Sequence, residues 1–375
     1  MGEISKRVRN NDGRMNLPLL TISARYGWMT QQSRFSASIA GREKKNYTLL
    51  KKHQLSYNHG NSKVANYGTV YELTDYDEAL VPKVYHSFSL TSENSSKFIE
   101  SYFHTKKLDA QLRKFIASTA RMDGLLNISF DDFMKVKLFA PERCEQSKIS
   151  RIINLIEKLI TLQQRKLRQL KQLKMVMLQQ LFVDKNNKKP NLRFKNFKGD
   201  WEKQRLEEVA QVTMGQSPSS KNYTDNPNDY VLVQGNADLK SNKISPRVWT
   251  KEITKQVHKG EIIMTVRAPV GYLAMANMDA VIGRGVAAID GNKYLYYLLQ
   301  TKLMDRTWEK LSSGSTFESI SSNDIKNLEI KVTETEEEKL IAKLMDTVTY
   351  FVTIQQDNLT QLTTLKKYLL QKLFI

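Results

Sequence analysis

One helical segment occurs twice in this chain, and this repeat limits the possible folds more than any other feature. Residues 149–183 align with residues 341–375 at a constant shift of 192 positions, and 13 of the 35 aligned pairs are identical. Unrelated sequences share far fewer identities over this length. We interpret the match as an internal duplication rather than as similar composition.

Both copies carry a heptad pattern, with apolar residues at alternating steps of four and three. Eight of the ten seam positions in each copy are apolar, and the same two positions are polar, with a glutamine and a lysine. This pattern is typical of a two-stranded coiled coil, in which a polar seam residue fixes register and orientation at a cost in stability. The predicted seam is Ile149, Ile153, Ile156, Ile160, Gln163, Leu167, Leu170, Lys174, Met177 and Leu181, paired with Ile341, Met345, Val348, Val352, Gln355, Leu359, Leu362, Lys366, Leu369 and Leu373.

Two copies within one chain can pair with each other, and at 1.5 Å per residue they form a rod of about 50 Å. The alternative is two separate amphipathic helices, each docked on its own domain. The shared glutamine and lysine positions favour the common seam.

The duplication extends upstream of the helices. Residues 97–107 match 293–303 at a shift of 196, and 127–133 match 319–325 at a shift of 192. Further upstream the similarity is one of pattern alone, between 49–68 and 256–274. The order is therefore globular unit, long helix, globular unit, long helix. We predict a first globular domain at 1–140, a first helix at 141–183, a linker at 184–200, a second globular domain at 201–332 and a second helix at 333–375.

The fold class predicted is α+β, with two mixed α/β units joined by two long antiparallel coiled-coil helices in a pseudo-twofold duplication. Short β-branched or aromatic runs bounded by turn residues indicate strands. The candidate strands are LPLLTI, TVYEL, KVYHSFSL, VLVQ, EIIMTV and VAAI.

The two units differ at their entry. The second begins with the block 193–210, which contains Phe194, Phe197 and Trp201, whereas MGEISKRV at the start of the chain aligns only with the end of that block, at Glu208 to Val209. Either the first unit does without this block or the chain is truncated at its N-terminus. We favour truncation.

Charge points to the class of partner. The formal net charge is +19 and the basic residues are spread through the patterned segments, which favours nucleic acid first and an acidic membrane surface second. Cys144 is the single cysteine, and the first twelve residues lack the apolar core of a signal peptide. No apolar run approaches the roughly 18 residues of a membrane span. These features predict a cytoplasmic protein.

The sequence offers no catalytic constellation and no metal or cofactor motif. NPNDY (226–230) lacks the second proline of an adenine-methylating loop, and GRG (283–285) is too short for a dinucleotide or S-adenosylmethionine loop. EIK (329–331), with Asp324 upstream, resembles part of a nuclease motif, but we interpret it as a solvated strand. The chain is therefore predicted to be a binding protein and not an enzyme.

Polar loops supply the residue types that contact DNA, because arginine and lysine read guanine, asparagine and glutamine read adenine, and hydroxyls hold phosphates. Ordinary turn chemistry explains such loops equally well when each is taken singly. The first helix also carries eight basic residues against one acidic residue between 147 and 182. The candidate DNA-binding residues are Arg25, Tyr26, Gln31, Gln32, Asn58, Asn61, Lys63, Thr119, Arg121, Gln216, Ser217, Ser219, Ser220, Lys221, Tyr223, Gln234, Asn236, Arg267, Arg284, Ser313, Ser315 and Thr316.

Two variable units, each followed by a long helix, resemble the specificity subunit of type I restriction-modification enzymes. The resemblance rests on FAPERCEQSKISRIINLIEKLI (139–160) and WEKQRLEEVAQVTMGQSP (201–218), with the patterns E-Q-x-K-I and W-x(4)-L-x-E-V, and on KGEIIMTVRAPVG and IGRGVAAI. It covers the chain except for the missing block at the front.

The resemblance implies that each globular unit is a target-recognition domain for one half of a split double-stranded DNA site. The paired helices would set the gap between the halves, since two readers on one face of B-DNA lie about 34 Å apart. It also implies that two methylation subunits, which carry S-adenosylmethionine and modify adenine, dock on this platform, and that a motor-nuclease restriction subunit joins them. The alternative is a coiled-coil scaffold whose basic units bind RNA or another acidic partner.

Overall fold

The computed structural model describes residues 1–35, 41–117, 125–183, 187–312 and 319–374. It divides into two compact units, of which the first comprises Met1–Gln164 with Asp357–Ile375 and the second comprises Arg165–Gln356. Each unit therefore combines one globular part with segments of both long helices.

The described residues of the globular part of the first unit form eight strands and four short α-helices. In chain order they are β1 (Ser5–Arg7), β2 (Leu20–Ser23), β3 (Gly27–Thr30), α1 (Gln31–Phe35), β4 (Thr48–Lys51), β5 (Leu55–Asn58), β6 (Thr69–Glu72), β7 (Glu78–Val81), β8 (His86–Leu90), α2 (Ser96–His104), α3 (Asp109–Phe115) and α4 (Phe130–Met134). A four-stranded antiparallel sheet has the order β1-β8-β5-β6, while β2 pairs with β3 and β4 pairs with β7. The first long helix, α5, spans Arg143–Leu181.

The second unit repeats this plan with additions. Its elements are β9 (Glu202–Arg205), α6 (Leu206–Val209), β10 (Gln211–Met214), β11 (Tyr223–Thr224), β12 (Tyr230–Val233), β13 (Leu239–Lys240), β14 (Lys243–Ile244), β15 (Trp249–Thr250), β16 (Gln256–Val257), β17 (Ile262–Thr265), β18 (Leu273–Met275), β19 (Ala280–Ile282), β20 (Val286–Asp290), α7 (Lys293–Met304), α8 (Thr307–Ser312), α9 (Ser322–Lys326), β21 (Glu329–Val332) and the second long helix, α10 (Thr335–Lys372). Its sheets are β10-β20-β17-β18 and β11-β15-β12-β19-β16, with the pairs β13-β14 and β9-β21.

The sheet order confirms the duplication at the level of topology. The order β10-β20-β17-β18 in the second unit reproduces β1-β8-β5-β6 in the first, and each sheet is followed by a helix, α7 or α2. The second sheet is related in the same way, because β12 runs parallel to β19 and Leu19 forms a parallel bridge to Leu80. All six strands expected from the sequence are present, as β2, β6, β8, β12, β17 and β20. The two segments matched by pattern alone contain β5 and β17.

Helix α2 shows how the local sequence fixes an element and its packing. The Ser95 hydroxyl caps the helix by accepting a hydrogen bond from the Phe98 amide, at 3.3 Å, and such a cap contributes about 1 kcal/mol. Phe98 and Tyr102, one helical turn apart, are buried in the core of the first unit. In the second unit Asn292 caps α7 in the same manner, through the Leu295 amide.

The long helices pack against each other in antiparallel orientation within each unit. In the first unit Ile149 and Ile153 share a core with Leu369 and Leu373. In the second unit Leu178 and Leu181 share a core with Ile341 and Met345. The start of α5 thus packs with the end of α10 in the first unit, and the end of α5 packs with the start of α10 in the second, as in an antiparallel pair. All twenty predicted seam residues are buried or half-buried.

The residues just beyond the end of each long helix pack on a globular part. The end of α10 packs on the globular part of the first unit, and the end of α5 packs on that of the second. The Phe374 ring stacks on Phe98 of α2 with centroids 5.0 Å apart, and the Phe182 ring stacks on Tyr294 of α7 at 5.4 Å. Phe98 and Tyr294 are counterparts at the shift of 196. The alternative of two helices that each dock only on their own domain is therefore wrong.

In each unit the repeated seam lysine lies near a carboxylate. The two carboxylates do not occupy equivalent positions of the repeat. Lys366 lies 2.8 Å from Glu157, which also contacts Lys97 at 2.8 Å. Lys174 lies over the Tyr297 ring at 5.6 Å, and the Tyr297 hydroxyl donates to Asp346 at 2.7 Å. Burial lowers the pKa of Lys174, and Asp346 opposes that shift.

Candidate nucleic-acid interface

Three polar loops of the second unit converge at one place. Gly215 and Gly283 are in contact, since a Cβ on Gly215 would lie 2.1 Å from the Gly283 carbonyl oxygen. A Cβ on Gly285 would lie 2.0 Å from the Gln234 carbonyl oxygen. The loops after β10, after β12 and before β20 thus meet through backbone that no side chain can separate, which explains why glycine is required there.

Predicted DNA-binding residues lie on all three loops. The Arg284 amide donates to the Ser217 hydroxyl at 3.2 Å, and the Gln234 side-chain amide donates to the Tyr223 hydroxyl at 2.7 Å. Gln216 and Arg284 are exposed. These contacts hold the loops in a fixed arrangement and leave arginine and amide groups at the surface.

The β17–β18 loop joins the same cluster. The Val266 amide donates to the Gly285 carbonyl oxygen at 2.9 Å. The next residue, Arg267, is exposed, and its backbone forms an antiparallel β-bridge with Ser319. Arg267 therefore lies beside the loop that carries Arg284. Together with Lys221 they give this face three cationic side chains.

Two carboxylates that the sequence reasoning missed shape these loops. Asp238 accepts hydrogen bonds from the amides of Gln234 and Gly235, at 2.8 and 3.3 Å. Glu252 accepts from the Ser219 amide and the Asn222 side chain, both at 2.8 Å, and the Asn222 bond lowers its pKa. An acid a few residues after a glycine turn was the available signal for Asp238. Nothing local marks Glu252, which lies 33 residues from Ser219.

The corresponding loops of the first unit also meet. The β2–β3 hairpin carries Arg25 and Tyr26 at its tip, with the guanidinium carbon 5.5 Å from the tyrosine ring centroid. The Asn58 side-chain amide at the end of β5 donates to the Ile22 carbonyl oxygen at 3.0 Å and joins this hairpin to the β5–β6 loop. This loop carries exposed Asn61 and Lys63.

The first-unit loops occupy the same topological positions as those of the second unit. The β2–β3 tip follows the strand that corresponds to β12, and the β5–β6 loop corresponds to the β17–β18 loop. His59 fixes the base of the β5–β6 loop, with its ring nitrogens 2.7 and 2.8 Å from the carbonyl oxygens of Leu126 and Val84. The antiparallel β-bridge between Gly60 and Leu125 is the counterpart of the β-bridge between Arg267 and Ser319.

The predicted residues differ in their accessibility. Gln31 is 3% exposed and its side-chain amide donates to the Tyr47 hydroxyl at 3.0 Å, so we leave it out of the interface. Asn58 is half-buried and holds the loops together. Gln32, Ser219, Ser220 and Asn236 are exposed. Thr119, Arg121, Ser313, Ser315 and Thr316 lie outside the described residues.

Within the described residues, no group of three or more His, Cys, Asp or Glu side chains is arranged to hold a metal ion. Glu329, Ile330 and Lys331 form strand β21, as expected, but only Glu329 is exposed, because β21 pairs with β9 and Ile330 is buried. Ser321 caps α9, and Asp324 completes its capping box. The part of the chain that is described has no helix with the length and hydropathy to cross a bilayer.

Comparison with known proteins shows similarity to one family. The family model of the type I restriction modification DNA specificity domain matches residues 198–364. The chain is 29% identical over 277 residues to MjaX and 30% identical over 186 residues to MjaIX, two type I restriction enzyme specificity subunits of Methanocaldococcus jannaschii. Residues 198–364 therefore match a type I specificity domain, and the aligned parts of the chain are similar to type I restriction enzyme specificity subunits.

The alignments with these relatives are partial. They cover 69% and 46% of this chain, and they span 63% and 42% of the relatives' own lengths. The alignment with MjaX therefore covers less than two thirds of that subunit.

Two solved structures from type I restriction-modification systems share the fold of almost the whole chain. The S subunit of the type I restriction-modification system from M. genitalium matches 99% of this chain and 93% of its own, at a TM-score of 0.65 and 14% identity. A structure that describes complex assembly and conformational transition of the type I R-M system matches 100% and 96%, at a TM-score of 0.58 and 20% identity. Because the sequence identities are this low, the structural similarity is evidence for a shared fold alone.

Proposed function

We propose that this chain is the non-catalytic DNA specificity subunit of a type I restriction-modification complex, and that each globular part reads one half of a bipartite, asymmetric double-stranded DNA site. The observation that carries the proposal is the matched position of the polar loops. The sequence predicts polar DNA-contacting loops in each unit independently. These loops occupy equivalent positions of the repeated topology.

Charge and residue type support DNA as the ligand. Arg267 and Arg284 in the second unit, and Arg25 and Lys63 in the first, are exposed cations on these loops. Gln216 and Asn236 add the amide groups that pair with adenine. With a formal net charge of +19, phosphate neutralisation supplies affinity and the loop side chains supply specificity.

The helices have two roles in the proposal. The antiparallel seam sets the gap between the two half-sites, with the repeated glutamine and lysine fixing its register. The outer surface of the helices docks two methylation subunits, which bring S-adenosylmethionine to the complex, while this chain holds no cofactor of its own. A motor-nuclease restriction subunit completes the assembly in the cytoplasm.

An exposed apolar stripe supports docking of two similar partners. Leu159 and Leu162 of α5 are 44% and 60% exposed in the first unit, and their counterparts at the shift of 192, Phe351 and Ile354 of α10, are 51% and 37% exposed in the second. Large apolar side chains exposed in a row mark protein contact surfaces. The duplication repeats this surface once in each unit.

The test is DNA binding by three arginine variants of the full chain, titrated over a range of salt concentrations. We expect Arg267→Ala and Arg284→Ala each to weaken specific binding by about 1–3 kcal/mol. Arg205→Ala is the matched control, because Arg205 lies on strand β9 rather than on a loop of the cluster. The logarithm of the binding constant should fall linearly with the logarithm of salt concentration, by about 0.9 for each phosphate neutralised.

Two results would overturn the proposal. The first is that Arg267→Ala and Arg284→Ala bind DNA with the same affinity as the control Arg205→Ala. The other is equal affinity for RNA competitor, which would favour a general acidic-partner scaffold.

A further inference from the structure

The loop between β7 and β8 in the first unit is the counterpart of the loop that carries Arg284 in the second. Strand β19 runs parallel to β12 on one side and antiparallel to β16 on the other. Strand β7 has the same neighbours, because Leu19, directly before β2, forms a parallel bridge to Leu80, and β4 pairs with β7 antiparallel. The β7–β8 loop, residues 82–85, therefore takes the place of residues 283–285.

The two loops form the same turn. In the second unit the Val286 amide donates to the Gly283 carbonyl oxygen at 3.1 Å, and in the first unit the Tyr85 amide donates to the Pro82 carbonyl oxygen at 3.0 Å. A hydrogen bond from the fourth residue to the first is typical of a β-turn. Because each turn begins directly after its strand, β19 or β7, the two turns match residue for residue.

The two central positions of the turn also match. The second position holds an exposed cation in both units, Arg284 in one and Lys83 in the other. The carbonyl oxygen at the third position is bound from the neighbouring loop in both units. The β17–β18 loop donates the Val266 amide to Gly285 at 2.9 Å. In the β5–β6 loop the His59 Nε2 lies 2.8 Å from the carbonyl oxygen of Val84.

The buried Tyr85 side chain joins the first-unit turn to the other polar loops. Its hydroxyl lies 2.9 Å from the Thr21 hydroxyl and accepts a hydrogen bond from the Ile22 amide at 3.2 Å. The carbonyl oxygen of the same Ile22 accepts from the Asn58 side chain at 3.0 Å. The turn, the β2–β3 hairpin and the β5–β6 loop thus meet at Ile22, and Lys83 belongs to this cluster.

We propose that Lys83 reads a guanine of the first half-site in the major groove, as the counterpart of Arg284 in the second unit. The inference rests on the proposed function and deepens it. Lysine can donate to the O6 and N7 acceptors of guanine. Beside it, Val84 is 43% exposed, and an apolar side chain can contact a thymine methyl group but gains nothing against a phosphate. This pair of side chains therefore fits base edges better than the DNA backbone.

Sequence composition does not mark this turn. Residues 82–85 read PKVY and lack the glycine, serine and amide residues that indicated the other loops. The internal repeat identifies it through strand order and hydrogen bonds, which persist although the residues differ.

The experiment selects DNA from a random library with the full chain and its variants, followed by sequencing and affinity measurement. Arg284→Ala identifies the half-site of the second unit, and the other half-site belongs to the first. Lys83→Ala should remove the guanine preference at one position of that other half-site. We expect it to weaken binding to the wild-type site by about tenfold, equal to about 1.4 kcal/mol.

Two further variants complete the experiment. Lys83→Arg should keep the guanine preference, because arginine binds the same two acceptors. Lys137→Ala is the matched control, since Lys137 is an exposed lysine between α4 and α5 and lies on no loop of the cluster. It should select the wild-type site with wild-type affinity.

Three results would refute the inference while the proposed function stands. The first is a Lys83→Ala chain that selects the same split site with the same affinity as Lys137→Ala. The second is a uniform loss of affinity for all sequences with a salt dependence shallower by about 0.9, which would assign Lys83 to a phosphate. The third is a change confined to the half-site that Arg284→Ala alters. A wild-type chain that selects no split site would instead overturn the proposed function, and this inference with it.

Discussion

Glu157 holds two lysines together in the first unit, and we expect Glu157→Gln to destabilise that unit. Its carboxylate lies 2.8 Å from both Lys97 and Lys366, and Lys97 also contacts Glu100 at 2.8 Å. The side chains of Glu157, Lys97 and Lys366 are 26%, 21% and 28% exposed. Glutamine keeps the shape of glutamate but leaves Lys366 without its counter-charge.

The magnitude follows from burial. Removal of one partner from a fully buried ion pair costs about 3–5 kcal/mol, whereas an exposed pair contributes about 0–1 kcal/mol. Since these side chains keep about a quarter of their exposure, we expect a loss of about 2 kcal/mol. That loss corresponds to roughly 30-fold faster hydrogen exchange at α5 amides that open through unfolding of the unit.

The pH dependence has a definite sign. Burial would raise the pKa of Glu157, but Lys97 and Lys366 outweigh it and lower the pKa from the ordinary value of 4.5. The stabilisation is therefore fully present above 4.5 and is lost as the pH falls through the lowered value. The difference between the wild type and Glu157→Gln should be constant near neutral pH and shrink in acid.

The assay is native-state hydrogen exchange of the full chain, because a two-unit protein need not unfold in one step. Glu336→Gln is the matched control, since Glu336 pairs with Lys339 at 74% and 65% exposure and should change stability by less than about 0.5 kcal/mol. If Glu157→Gln exchanges no faster than Glu336→Gln, the ion network does not stabilise the first unit and the reasoning is wrong.

Three further predictions concern the repeated contacts and the loops. Phe374→Ala should cost the first unit about 3–5 kcal/mol because its ring is 1% exposed on α2. In the same native-state hydrogen-exchange assay the control Tyr368→Ala, at 55% exposure, should stay within about 0.5 kcal/mol, and equal losses would argue against the docked helix end. Gly285→Ala should distort the loop cluster, since its Cβ would lie 2.0 Å from the Gln234 carbonyl oxygen; unchanged DNA affinity would exclude that cluster from the interface. The buried Glu337 carboxylate accepts two hydrogen bonds from Arg193, both at 2.8 Å. Glu337→Gln should destabilise the second unit by about 3–5 kcal/mol because it leaves the Arg193 charge unpaired, and hydrogen exchange at α10 no faster than in wild type would contradict this.

The sequence predicted the repeat, the antiparallel seam and six strands because these depend on local periodicity. A heptad at 149–181 can be recognised without any tertiary contact, and a β-branched run such as 286–289 indicates a strand by itself. The weak match between 49–68 and 256–274 proved to be a true repeat, because strand and turn order persists after the side chains diverge.

Strand pairing and loop contacts could not be predicted in the same way. The parallel pair β12–β19 joins residues about fifty positions apart, and nothing in either segment selects the other. Gln31 has the composition of a reading residue, but its helix turns it toward Tyr47 and buries it. The Met1 contact with Val136 depends on a partner 135 residues away.

The central claim is that each globular part reads one half of a split DNA site, and footprinting tests it most directly. DNA selected by the full chain from a random library should show two short protected tracts separated by an unprotected gap of constant length. A single continuous tract, a gap that varies among selected sequences, or no protection would contradict the account.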